Sequence, residues 1–145
     1  MAKWGNCDFS GFKKLAKQFD KLTPNQKDEF YTSCCKALAA RLLAAVIPRT
    51  PVGQYPATSG KQGGTLRRGW TSKTAGGSAA SAAAYAQSLQ VKKIGSMYQV
   101  EIVNPVEYAS YVEYGHRTAN KTGWVEGKFM LTLSEQELQK IAPKV

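Results

Sequence analysis

Between Pro48 and Gly64 the chain places three prolines and four glycines within seventeen residues. Proline fixes φ and lacks an amide donor, and glycine resists ordering, so no regular element can hold this stretch. It therefore divides the 145 residues into an N-terminal part of helical periodicity and a C-terminal part of mixed signals. A connection this long inside a compact domain is usually functional or disordered.

Upstream, Asp8 or Ser10 can cap a first helix, because either side-chain oxygen accepts from an unpaired first-turn amide. Phe12, Leu15, Phe19 and Leu22 recur every three or four residues and share one face, with Lys13, Lys14, Lys17 and Lys21 on the other. Thr23-Pro24 ends this helix and opens a second, with Thr23 as cap and Pro24 where a missing amide costs nothing. That helix is expected to reach about Ile47, with Tyr31, Cys34, Cys35, Leu38, Leu42, Ala45 and Val46 in one arc against a sheet.

Downstream, Trp70 to Thr74 reads as a strand entered from Gly64-Thr65-Leu66. Gly76 to Ala84 has little apolar area and reads as a flexible loop or frayed helix. Tyr98, Val100 and Ile102 alternate with Gln99 and Glu101, and Gly95-Ser96 suits a two-residue type II′ turn, predicting a hairpin over about 87–94 and 97–103. The last helix is expected from Lys128 to Ile141, with Phe129, Met130, Leu133, Leu138 and Ile141 inward; Ser134 and Glu137 match a capping box that starts it later.

Between hairpin and last helix lies Asn104-Pro105-Val106-Glu107-Tyr108-Ala109-Ser110-Tyr111-Val112-Glu113-Tyr114-Gly115-His116-Arg117-Thr118. Tyr108, Tyr111, Val112 and Gly115 follow helical spacing, and Gly115 can take the left-handed conformation that stops the helix. Tyr108, Tyr111 and Tyr114 cannot all face one core, so at least one belongs at a subunit contact; core packing is the expected fate of at least two among these and Trp124. Glu107 and Glu113 point in different directions and are read as solvated ends or interface salt bridges. Arg67, Arg68 and Arg117 are candidates for charged contacts between subunits, since a guanidinium binds a carboxylate through two bonds.

No nucleophile and base are paired around His116, the chain's single histidine, which is better read as a turn residue hydrogen-bonded to backbone or meeting a neighbouring subunit. Cys7, Cys34 and Cys35 lack metal-ligand spacing and are read as reduced core thiols. The glycines at 63, 64 and 69 are not followed by the Gly-Lys-Ser/Thr of a phosphate loop. No apolar run approaches the roughly 20 residues that cross a bilayer, and residues 1–6 lack a signal-peptide core, so cytoplasmic synthesis is expected. The formal charge of +10 invites nucleic-acid binding, yet it is scattered along the chain and suits an acidic protein surface equally.

The order of Ile47-Pro48-Arg49-Thr50-Pro51-Val52-Gly53, Gly64-Thr65-Leu66-Arg67-Arg68-Gly69-Trp70, Tyr108-Ala109-Ser110-Tyr111-Val112-Glu113-Tyr114-Gly115 and Gly127-Lys128-Phe129-Met130 resembles the neck and tail-completion (head–tail joining, minor tail component) proteins of long-tailed bacteriophages. In that family the Thr-Pro-Val turn normally leads almost directly into the Leu-Arg motif, so Gln54 to Gly63 reads as an insertion. The resemblance, with the element pattern, implies one α+β domain over 1–145, an antiparallel sheet of three or four strands packed by N-terminal helices, a short Tyr-rich helix and a C-terminal helix. It further implies a non-enzymatic virion protein without cofactor, forming a ring, expected to be six-membered, at the head-proximal end of the tail. Expected partners are its own copies, the tail tube protein and the head connector or stopper, with DNA passing through unread and no membrane. Arg67, Arg68, Trp70, Tyr108, Tyr111, Tyr114, His116, Arg117 and Trp124 are the expected interface residues. The alternative is a basic nucleic-acid-binding module.

Overall fold

The computed structural model describes residues 10–71 and 79–141. Six helices and two hairpins follow in order: α1 (Ser10–Asp20), α2 (Pro24–Arg49), a 3-10 turn (Ala57–Ser59), α3 (Thr65–Gly69), α4 (Ala79–Ser88), β1 (Lys92–Ile94), β2 (Met97–Gln99), α5 (Ala109–Tyr114), β3 (Gly115–Arg117), β4 (Trp124–Glu126) and α6 (Met130–Ile141). The class is α+β as expected, but each sheet has two strands in place of one sheet of three or four. β1 pairs with β2 and β3 with β4 as two separate antiparallel hairpins.

The central element is α2, with α4 and α6 packed against it. Its start is set locally. The Thr23 side chain accepts from the Gln26 amide at 3.3 Å while the Gln26 side chain accepts from the Thr23 amide at 3.0 Å, a capping box that satisfies two otherwise unpaired donors. The buried face is Ala39, Leu43, Val46 and Ile47, turned from the expected arc: Leu38 and Tyr31 are exposed and Leu42 is half-buried. Helices rather than a wide sheet cover this face, so the arc facing α4 and α6 became the interior one. α2 is also long and apolar enough, by length and composition, to cross a membrane, contrary to the sequence expectation. Of its apolar residues, Ala39, Leu43, Val46 and Ile47 are buried in this core.

The segment expected to be a loop or frayed helix is α4 from Ala79 onward. Alanine has the highest helix propensity, and its small side chain lets two helix axes approach closely. Ala82 and Ala86 are fully buried beside Ala39 and Ala40 in the same core cluster. Lys36 Nζ donates to the Gln87 carbonyl at 2.9 Å, satisfying an otherwise unpaired group at the end of α4.

Where a strand was expected, Thr65–Gly69 is helical and Trp70 and Thr71 form a turn. Residues 72–74 of that strand, 76–78 of the loop, Asp8 and Cys7 lie outside the described residues. The hairpin is shorter than expected, because 87–88 end α4 and 100–103 make no ladder. Its two-residue turn is present: Gly95 has φ +62° and Ser96 does not share the positive φ, which fits type II′.

α6 opens at Met130, so Ser134 is an interior residue and its hydroxyl donates to the Met130 carbonyl at 2.6 Å. Met130 and Ser134 are buried, whereas Phe129, Leu133 and Ile141, expected inward, are exposed. Only one narrow stripe of this helix meets α2. Arg49 ties the two together, donating to Ser134 Oγ at 3.1 Å and pairing with Glu137.

Candidate functional site

The turn after α2 and the motif Gly64 to Trp70 build a single joint. Arg67 donates through Nε and Nη2 to the Thr50 carbonyl at 3.2 and 2.7 Å, and through Nη2 to the Pro48 carbonyl at 3.2 Å. A guanidinium here satisfies carbonyls left open at a helix C-terminus and complements its negative end. Trp70 Nε1 donates to Thr50 Oγ1 at 2.7 Å, and that hydroxyl donates in turn to the Val46 carbonyl at 2.8 Å. Asn104 closes the joint from the other side, donating to the Leu66 carbonyl at 2.8 Å. Gly69 is required beneath it, since a Cβ there would overlap Asn104 Oδ1 and crowd Val106.

Two of the expected interface residues are thereby assigned internal work. Trp70 is 3% exposed and belongs to the core, because its indole N–H finds its acceptor inside. Arg67 is half-buried and committed to the α2 terminus. Arg68 is half-buried too, donating to the Gly63 carbonyl at 3.2 Å.

The aromatic helix behaves differently. α5 turns Ala109, Val112 and Glu113 inward, so Tyr108, Tyr111 and Tyr114, spaced by three residues, share the opposite side. They are 45, 59 and 64% exposed, and Trp124 is 60% exposed. None of the four is a core residue, against the expectation that at least two would be. α5 is too short to offer the core more than one narrow face.

The β3–β4 hairpin, unforeseen from sequence, continues this surface. Gly115, at φ +88°, ends α5 and begins β3; a Cβ there would collide with the Val125 carbonyl and press on the Trp124 ring. The His116 Nδ1 donates to the Arg117 carbonyl at 2.8 Å and the ring lies 5.7 Å from that of Tyr111. Arg117 stands opposite Trp124 in the ladder and is exposed. Tyr108, Tyr111, Tyr114, His116, Arg117 and Trp124 are thus brought to neighbouring elements, while Trp70 meets this group from the core side, lining one cavity with Ala109, Glu113 and Tyr114.

Glu113 holds this surface to the body. Its carboxylate is buried and accepts from the Leu131 and Thr132 amides, each at 2.9 Å, and from the Thr132 hydroxyl at 2.6 Å. It thereby serves as the N-cap acceptor of α6 from another element, where a negative charge is favoured. This overturns its reading as a solvated or interface carboxylate. Phe129, at φ +47°, precedes α6 and offers no capping oxygen, so the first-turn amides take their acceptor from another element.

At the opposite end of α2, Asp28 is paired with Lys93 at 2.8 Å and accepts from the Tyr98 hydroxyl. The hydrogen bonds from Lys93 and then Tyr98 hold its carboxyl below the ordinary aspartate range, and Asp28 in turn raises Lys93 and Tyr98. Cys35, whose thiol donates to the Tyr98 carbonyl at 3.8 Å, is pushed up by burial. Among the described residues no cluster of three or more His, Cys, Asp and Glu side chains is arranged to hold a metal ion.

No curated protein and no solved structure matches the chain significantly. A family model described as "Bacteriophage HK97-gp10, putative tail-component" matches residues 13–115, which run from α1 through the joint and α5 to Gly115. That match covers more than two thirds of the sequence, and the chain therefore belongs to the HK97-gp10-like family of phage tail components.

Proposed function

We propose that this tail component is a structural subunit that assembles into a ring, expected to be sixfold, at the head-proximal end of a phage or phage-like tail. There it completes the tail tube and meets the head connector, while DNA passes through without being read. The observation that carries this reading is the exposed row of Tyr108, Tyr111, Tyr114 and Trp124 beside Arg117. Aromatic residues and arginine supply most of the binding energy at protein interfaces. The surface needs no cofactor, since its action would be mechanical.

The test measures mass in solution for the chain alone and mixed with tail-tube protein, beside a titration with duplex DNA. Association with tube ends at physiological ionic strength, with negligible DNA affinity, is the expected result. Tight DNA binding that falls roughly a thousandfold between about 50 and 200 mM salt, without tube association, would overturn it in favour of a nucleic-acid-binding module.

A further inference from the structure

α1 buries none of its residues, and Leu15 on its apolar stripe is 60% exposed, with Phe12 at 71%. Farther along the molecule lies an apolar groove of about 350 Å³ between α2, the extended segment 99–102 and α6. Leu38, Leu42, Val100, Ile102, Leu131 and Leu138 line it, and its charged lining residues are Glu101 and Glu135. α1 carries Lys13, Lys14 and Lys17 against the single acid Asp20, with Lys21 just beyond its end. An apolar stripe on a basic helix thus has, in the same chain, an apolar groove with an acidic rim.

A chain's own α1 is kept from that groove. Asp28, Tyr31 and Cys35 lie on the same face of α2 as Leu38 and Leu42. The β1–β2 hairpin occupies that face, through Lys93 on Asp28, the Tyr98 ring stacked 5.0 Å from Tyr31, and Cys35 against the Tyr98 carbonyl. α1 is meanwhile held beside the start of α2, with the Phe19 ring 5.3 Å from Phe30 and 5.8 Å from Tyr31. The hairpin therefore stands between α1 and its own groove.

We propose that α1 of one copy seats its Leu15 stripe in the α2–α6 groove of the next copy. This rests on the ring reading and names the contact that would make the ring. Each copy gives one helix and receives one, a head-to-tail interface that closes when the rotation between copies closes. The lysines lie opposite the apolar stripe, so they steer the helix toward the Glu101 and Glu135 rim and make association salt-sensitive without locking it.

The test uses two full-length variants at exposed positions, Leu15→Glu and Leu38→Glu, with mass from light scattering and far-UV circular dichroism to check folding. Each alone should fall from the wild-type assembly to the single-chain mass of 15.8 kDa. Mixed in equal amounts they should form a dimer and nothing larger, because one intact helix and one intact groove remain. Wild-type assembly by either variant overturns the proposal and leaves the ring reading standing, as does failure of the folded pair to dimerise. Hydrogen exchange equally slow across α1 in monomer and assembly would assign the groove to the chain's own helix and also overturn it. If Leu38→Glu unfolds, Glu101→Lys with Glu135→Lys replaces it, and unchanged association of that variant at low salt counts against the proposal. A wild-type chain that stays monomeric both alone and with tube ends defeats the ring reading itself, and this inference with it.

Discussion

Trp70 and Trp124 both follow a glycine, and both stand in motifs flagged as interface, yet one is 3% and the other 60% exposed. Around Trp70 the polar groups are already matched: its N–H to Thr50, Arg67 to the end of α2, and Asn104 to Leu66. Around Trp124 the aromatic rings lie outward, and the buried bonds run through main chain and Glu113 instead. Residue type did not separate these fates. What separates them is whether neighbouring carbonyls and hydroxyls inside the same chain use up the polar handle, which turns the ring into core, or leave the surface available to a partner.

The comparison breaks most readily at Trp70. Trp70→Ala empties a buried site and takes the indole donor from the Thr50 hydroxyl, so urea unfolding should show a loss of about 3–5 kcal/mol. Tyr111→Ala, by contrast, should stay within about 0.5 kcal/mol while weakening assembly. A Tyr111→Ala variant as unstable as Trp70→Ala would show the aromatic row to be core after all.

Next in size is Glu113, the anchor of the exposed surface. Glu113→Ala leaves two α6 amides and a hydroxyl without their acceptor in a buried place, at a cost of about 1–3 kcal/mol. Glu113→Gln keeps one acceptor oxygen and should lose less. Equal losses for both variants would show that carboxylate charge, rather than geometry, supplies the stabilisation. Gly69→Ala tests the joint in the same way: the new methyl meets Asn104, and an overpacking cost of about 1–3 kcal/mol is expected from denaturant midpoints.

Legibility in the sequence followed locality. Thr23-Pro24, the Gly95-Ser96 turn and the stop at Gly115 are decided by neighbours within four residues, and each stands where the pattern put it. α4 was unreadable because an alanine run has no apolar contrast, and its helix rests on close contact with a distant partner. The Glu113 cap was hidden because donor and acceptor lie 18 and 19 residues apart. Of the interface candidates, composition singled out the aromatic row but not that all four of its rings lie outward, while the inward role of Arg67 and Trp70 required knowing where α2 ends.

Smaller effects come from pH, at the two exposed ion pairs. Asp28 and Glu137 have lowered folded pKa values, set first by hydrogen bonds to Lys93 and Arg49 respectively. Their contribution is present above the unfolded range near 3.9–4.3 and is lost as pH falls through the lower folded values. Lys93 and Tyr98 are raised, so theirs is present below about 10 and lost as pH climbs through the higher folded values. Asp28→Asn should therefore flatten both limbs of a stability–pH curve, and Glu137→Gln the acid limb alone. An unchanged alkaline limb in Asp28→Asn would show that the hairpin pair contributes nothing in solution.

The smallest effect on the fold should come from the long loop after α2, where the aromatic surface and the joint both have a stake. Residues 51–62 are exposed throughout, and the only regular structure in them is the 3-10 turn closed by the Ser59 amide on the Pro56 carbonyl at 2.9 Å. The loop leaves and returns at a pinch, since a Cβ on Gly63 would overlap the Gly53 carbonyl. Beyond that pinch, Gln54 to Gln62 add chain without adding core. Replacing them with Gly-Ser should change stability by no more than about 1 kcal/mol, because closure entropy varies only slowly with loop length. If the loop serves assembly, the same change should abolish association with tube ends, and amides across 51–64 of the intact chain should gain hydrogen-exchange protection only in the assembly. A shortened chain that unfolds more easily would place the loop with Trp70, as part of the joint; one that assembles normally would remove it from the interface and leave Tyr108, Tyr111, Tyr114 and Trp124 to carry the contact alone.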